Sequence, residues 1–184
     1  MILRRFFNLV ENYSHQEVLI CCSAYDILIN ELDVTNQRRI IMDKIYVVYW
    51  SQTGNTQAMA EAIGKGIMDA GKEAAVVFVS EASLDELKNA KAFALGCPAM
   101  GAEVLEESEF EPFVCAVEGF AAGKTIALFG SYGWGDGQWM RDWEERMNGC
   151  GASVMNGEGL MCHEVPDASV LAECEAIGKQ LSAL

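Results

Sequence analysis

Three hydroxyl side chains, Ser51, Thr53 and Thr56, surround Gly54 in the run Ser51-Gln52-Thr53-Gly54-Asn55-Thr56. Such a run opening a helix can hold an anion, because the first N–H groups of a helix lack partners and its dipole favours negative charge there. No Lys follows the glycine, so the cation that a nucleoside-triphosphate loop places on its outer phosphates is missing. One terminal phosphate held by neutral donors fits the run better. Capping of the helix is the plainer reading, although a cap needs fewer hydroxyls than are present. A second run, Cys97-Pro98-Ala99-Met100-Gly101-Ala102-Glu103, offers Met100 as a polarizable surface for an aromatic ring and Glu103 as an acceptor for a ring N–H. Taken alone it also reads as an ordinary turn. A third, Gly130-Ser131-Tyr132-Gly133-Trp134-Gly135-Asp136-Gly137, has four glycines that let backbone donors approach a ligand and two aromatics that can stack on one. Trp134 stands between glycines and has few neighbours to pack against.

Other chemistries have less to work with. The seven Cys include no Cys-x-x-Cys pair and His occurs only at 15 and 163, so clustered zinc or iron–sulfur ligands are not visible. Redox chemistry would then fall to an organic cofactor. Cys21 and Cys22 are adjacent and poorly placed for a bridge. Cys97, Cys115, Cys150, Cys162 and Cys174 are expected to act as small buried hydrophobes. A net charge of −14 argues against nucleic acid, which calls for clustered Lys and Arg. It favours encounter with basic protein surfaces, although many soluble proteins are simply acidic. No apolar run reaches the roughly 18 residues of a membrane helix. Asn8 and Glu11 interrupt the start too early for a signal peptide, so a cytoplasmic location without membrane contact is expected.

The elements that must position these loops emerge past residue 41. All seventeen Gly and all three Pro lie after that point, and the first 41 residues show no sustained period. Residues 1–41 are therefore read as an extension outside the fold, an upstream read-through or a fusion remnant, and 42–184 as the folded domain. The extension carries four basic and five acidic residues, so nearly all the negative charge belongs to the domain. Apolar runs predict strands at Ile45–Trp50, Ala74–Val79, Ala92–Cys97 and Lys124–Phe129. A fifth, Ala152–Met155 with Leu160–Cys162, is interrupted by Asn156-Gly157. Helices are expected at Thr56–Ala70 (stopped by Gly71), Leu84–Asn89 (capped by Ser83), Phe110–Glu118, Gln138–Asn148 and Ser169–Leu181. Strands alternating with helices predict an α/β fold: a five-stranded, doubly wound parallel sheet of order 2-1-3-4-5, with helices on both faces. Ligands of such sheets sit beyond the C-terminal strand ends, at the point between strands 1 and 3 where the winding reverses. The three loops fall at that edge.

A phosphate cradle, an acceptor for a ring imide and two flat walls describe a pocket for flavin mononucleotide (FMN). Ser51 to Thr56 resembles the flavodoxin phosphate motif S/T-x-T-G-N-T. Gly101 to Pro112 and Ala127 to Gly149 likewise resemble short-chain flavodoxins, and the similarity extends over Met42 to Leu184. The resemblance implies a low-potential one-electron carrier that shuttles non-covalently bound FMN mainly between semiquinone and hydroquinone. It implies that Ser51, Gln52, Thr53, Gly54, Asn55 and Thr56 bind the phosphate, that Met100 covers the inner face of the ring system and Trp134 the outer, and that Glu103 accepts from N3. Gly133 would donate its N–H toward N1 and O2, within a binding loop that also includes Ser131, Tyr132, Gly135 and Asp136. Gly101 would present its carbonyl at N5–H on reduction. Ala102 departs from the acidic or amide residue common there, which bears on redox tuning at Gly101 and Ala102. Met100 to Glu103 is expected to form a tight turn with φ > 0 at Ala102 in one sense and at Gly101 in the other. Partners would be redox proteins with basic docking surfaces, met transiently by a monomer. The rival readings are an FMN-dependent NAD(P)H–quinone reductase on the same fold, and a receiver-type binding module. The second would need acidic residues where Ser51 and Pro98 stand.

Overall fold

Ile45 and Val47 pack on one face of the central sheet and Tyr46 and Val48 on the other, all four buried, so strand β1 (Lys44–Tyr49) is covered on both sides. The computed structural model describes residues 44–184. The expected boundary at Met42, and every reading of residues 1–41, lie outside the described residues. From β1 the chain alternates through α1 (Asn55–Asp69), β2 (Glu73–Phe78), α2 (Leu84–Asn89), β3 (Ala92–Gly96), α3 (Phe110–Glu118), β4 (Thr125–Tyr132), α4 (Gln138–Gly149), β5 (Ser153–Val154), β6 (Leu160–His163) and α5 (Ala168–Leu181). All pairings within the sheet are parallel, in the order β2-β1-β3-β4-β5. The expected fold class and strand order are observed.

Two corrections follow from β6. It pairs with β4 beyond β5, in the register Phe129↔Leu160 to Tyr132↔His163. The fifth sheet position therefore holds two short segments, six strands in all among the described residues. Between them Asn156 and Gly157 take φ of 60 and 81, a left-handed break that no strand can run through. Because β6 supplies a partner that far along, β4 continues through Gly130, Ser131 and Tyr132, where the sequence pattern predicts loop. Val79, read as strand, opens a short 3-10 turn.

Helices α1 and α5 cover one face, burying Met59, Ile63, Ile67, Cys174, Ile177 and Leu181 against alternate strand residues such as Ala94 and Phe129. They cross closely: a Cβ at Gly66 would strike the Glu175 backbone, and one at Gly178 the Ile63 carbonyl. Helices α2, α3 and α4 cover the other face with Leu87, Phe110, Val114, Trp139, Trp143 and Met147. Arg146 of α4 bonds both Glu111 (2.8 Å) and Glu118 of α3, and its guanidinium holds the Glu111 carboxyl below its usual range. Cys97, Cys162 and Cys174 are buried as expected, but Cys115 is exposed and Cys150 half-buried. No helix among the described residues is long and apolar enough to cross a membrane.

Candidate functional site

The sheet ladder continues past its formal ends at the carboxyl edge. Trp50 N–H donates to the Gly96 carbonyl (2.9 Å), Cys97 N–H to Phe129 (3.1 Å) and Ala99 N–H to Ser131 (2.9 Å). These bonds fix the starts of the first two loops against each other and against β4.

In the first loop Gly54 adopts φ 90 at the N-cap of α1, a conformation that glycine takes without steric cost. Its N–H donates to Ser51 Oγ at 3.1 Å, and no side chain caps the helix. The hydroxyls therefore do not act as a cap, and the first amides of α1 face the edge where a ligand is expected. Thr56, read as a phosphate contact, has its hydroxyl buried and 3.2 Å from Ser131 Oγ, tying this loop to β4.

The second loop is longer than the turn expected. Met100 and Val104 exchange both backbone hydrogen bonds (2.8 and 3.0 Å) across Gly101, Ala102 and Glu103. Positive φ falls on Gly101 (43) and Glu103 (55), whereas Ala102 does not have it. The Gly101 half matches the second turn sense considered above. Glu103 was not foreseen, because closing the loop one residue later moves the second left-handed position onto it. Its Oε1 accepts from the N–H groups of Gly137 and Gln138 at 3.0 Å each. Downstream, Glu106 is buried and its carboxylate accepts from Ser108, Glu109 and Phe110 N–H at 2.8–3.0 Å, capping α3. Burial alone would raise its pKa, but these donors prevail and hold it below its usual value. Glu106 N–H in turn donates to Cys97 Sγ (3.4 Å). Burial pushes the Cys97 thiol up to about 12, so it stays protonated and unreactive at neutral pH.

In the third loop Trp134 remains 59 % exposed, the state of a large aromatic with no core to join. Tyr132, read as a second stacking surface, is half-buried and engaged on both sides, 5.4 Å from the Trp139 ring and edge-on to His163 at 5.1 Å. Gly133 and Gly135 are exposed, and Asp136 pairs with Arg141 at 2.6 Å.

These segments enclose a cleft of about 240 Å³. Of the residues expected at the site, Gln52, Thr53, Asn55, Met100, Ser131, Tyr132 and Gly133 line it. Ser51, Gly54, Gly101, Ala102, Glu103, Trp134, Gly135 and Asp136 lie in the bordering loops and Thr56 in the first turn of α1, none of them in its lining. Pro98, Ala99 and Glu164 line it too and were missed. Glu164 follows β6 directly, so the rule that pointed to the other three strand ends points to it as well. Its N–H donates to the Tyr132 carbonyl at 2.7 Å, and its φ is 59.

Comparison with known proteins bears on the chain as a whole. A family model described as flavodoxin matches residues 47–178. A flavodoxin of Clostridium beijerinckii is 52 % identical over 136 residues, which take in 74 % of this chain and 97 % of that one. A Megasphaera elsdenii flavodoxin is 41 % identical over 135 residues, 73 % of this chain and 96 % of that one. A solution structure of two-electron reduced Megasphaera elsdenii flavodoxin superposes with a TM-score of 0.70 at 38 % identity, covering 76 % of this chain and 99 % of that chain.

Proposed function

The chain belongs to the flavodoxin family, and from that premise we propose that it carries single electrons between redox proteins on FMN held without a covalent bond. One observation supports the cofactor above the others: α1 opens without a side-chain cap beneath a left-handed Gly54. Its first amides are thereby left to a phosphate monoester, and the loop carries no Lys that would call for a longer phosphate chain. Met100, half-buried at the cleft, and the exposed Trp134 fit the two faces of a flat ring system, and Gly133 N–H fits a ring acceptor. Bound FMN supplies the one-electron chemistry. The protein's part is to bind it, shield it and bias its charge. Glu164 in the cleft wall and Glu103 beside it disfavour added negative charge there, which supports a low potential for the last electron.

The carrier works as a cytoplasmic monomer, not as an enzyme with its own substrate, and meets partners whose docking faces are basic. The quinone-reductase reading finds no support in the relatives. The test is a titration of cofactor-free protein with FMN and with FAD, followed by flavin fluorescence. One FMN per chain and markedly weaker FAD binding are expected, and equal affinities would overturn the reading. Steady-state NADH or NADPH oxidation with a quinone should be negligible.

A further inference from the structure

The dipeptide Asn-Gly occurs twice in the chain, at Asn148-Gly149 and at Asn156-Gly157. Asparagine is a chemically labile residue, and most so before glycine, which has no Cβ to keep its amide nitrogen away from the asparagine side chain. That nitrogen reaches Cγ only if the asparagine backbone can turn toward it, so the fold decides which copy can react.

The two copies are held very differently. Asn148 sits in the last turn of α4, where its carbonyl accepts from Gly151 N–H at 2.9 Å and its Oδ1 from Val154 N–H at 3.4 Å. Around it Cys150 N–H donates to the Arg146 carbonyl and Ala152 N–H to that of Met147, at 3.1 and 3.2 Å. Turning ψ at Asn148 would break into this set. Asn156 and Gly157 stand exposed in the break between β5 and β6, with φ of 60 and 81. The pairing with β4 stops at Val154 and resumes at Leu160, so residues 155–159 have no ladder bonds to give up. The Asn156 side-chain amide makes no hydrogen bond among the described residues, and the space beside Gly157 is open.

We propose that Asn156 is a site of spontaneous deamidation and that the end of α4 protects Asn148 from the same reaction. The Gly157 nitrogen bonds to Asn156 Cγ and gives up its proton, and the side-chain nitrogen leaves as ammonia. Water then opens the cyclic imide at one of its two carbonyl carbons. Cleavage of the bond to Cγ gives aspartate. Cleavage of the bond to the Asn156 backbone carbonyl carbon gives isoaspartate, whose main chain runs through Cγ and is longer by a methylene. One water is consumed for each ammonia released, and no oxidant or reductant takes part. Either product places a new carboxylate in the groove that Asn156 lines together with Glu158 and Glu173.

The test is incubation of the full chain at mildly alkaline pH, which favours loss of the proton from the attacking nitrogen, with peptide mapping by mass spectrometry over time. Deamidation at Asn156 should outrun that at Asn148 by roughly tenfold, because about two backbone hydrogen bonds must open before Asn148 can turn. A more acidic species should grow in step on anion exchange, and Asn156→Gln should abolish its early appearance. In denaturant the two sites should react at similar rates, since the helix end no longer holds Asn148. An Asn156 that stays intact in the folded chain would overturn the proposal, as would an Asn148 that reacts as fast. A preference for Asn156 that persists unchanged in denaturant would overturn the protection assigned to α4.

Discussion

Trp134 leaves 59 % of its surface in water between Gly133 and Gly135, a placement that adds little to folding and makes sense for a residue waiting on a ligand. Trp134→Ala should therefore weaken FMN binding by about 1–3 kcal/mol, the scale of stacking plus lost burial. The unfolding midpoint of the cofactor-free protein should scarcely move. An unchanged dissociation constant would return Trp134 to a surface role. Residues like this one were legible because their local setting is odd: an aromatic among glycines, hydroxyls around a glycine at a strand end. Thr56 and Glu103 stand out in the sequence, but what they touch does not. Their partners, Ser131 and Gly137, stand 75 and 34 positions away, and nothing in the local pattern says which donor will meet which acceptor. Tyr132 lines the cleft, and its contacts with the Trp139 and His163 rings are hidden for the same reason, since those rings come from α4 and β6.

At the scale of elements, alternating apolar strands and amphipathic helices placed the helices and the first three strands to within a residue or two, because each must bury a face wherever it sits. The far end of β4 escaped, since Gly130–Tyr132 become strand only through pairing with β6. Helix α3 shows how such long-range detail bears on stability. Its first amides depend on Glu106, which lies outside the helix and is not its N-cap residue. Glu106→Ala should cost roughly 0.5–2 kcal/mol at neutral pH, the range for a lost cap. The pH dependence has a definite sign. The folded-state pKa lies below the ordinary 4.5, so the carboxylate's contribution is complete above that ordinary value and is lost as pH falls through the lower folded one. Denaturant unfolding of wild type and variant should therefore differ clearly at pH 7 and converge at strongly acidic pH. A gap that persisted there would mean that packing, not the charge, is what Glu106 provides.

Taken whole, the described strands start at Lys44, and 136 residues of the chain account for 97 % of the Clostridium beijerinckii flavodoxin. A chain beginning at Met42 should keep its FMN affinity and unfold cooperatively, and loss of either would give residues 1–41 a structural part. The charge is the other property of the whole. At −14 for the full sequence, with Glu164 in the cleft wall and Asp136 exposed in the bordering loop, the molecule should draw in basic partners from a distance. The Debye length shrinks from about 10 Å at 0.1 M salt to about 3 Å at 1 M, so steering survives only in dilute salt. With a basic haem protein as electron acceptor in stopped flow, the second-order rate should fall by roughly tenfold or more across that range. Glu164→Gln removes one rim charge at nearly constant size. It should slow the reaction at low salt and match wild type at high salt, because a screened charge no longer acts at a distance. An equal slowing at both salt concentrations would instead make Glu164 a contact or a cofactor-tuning residue, and a rate that ignores salt altogether would remove electrostatic steering from the account of how this carrier finds its partners.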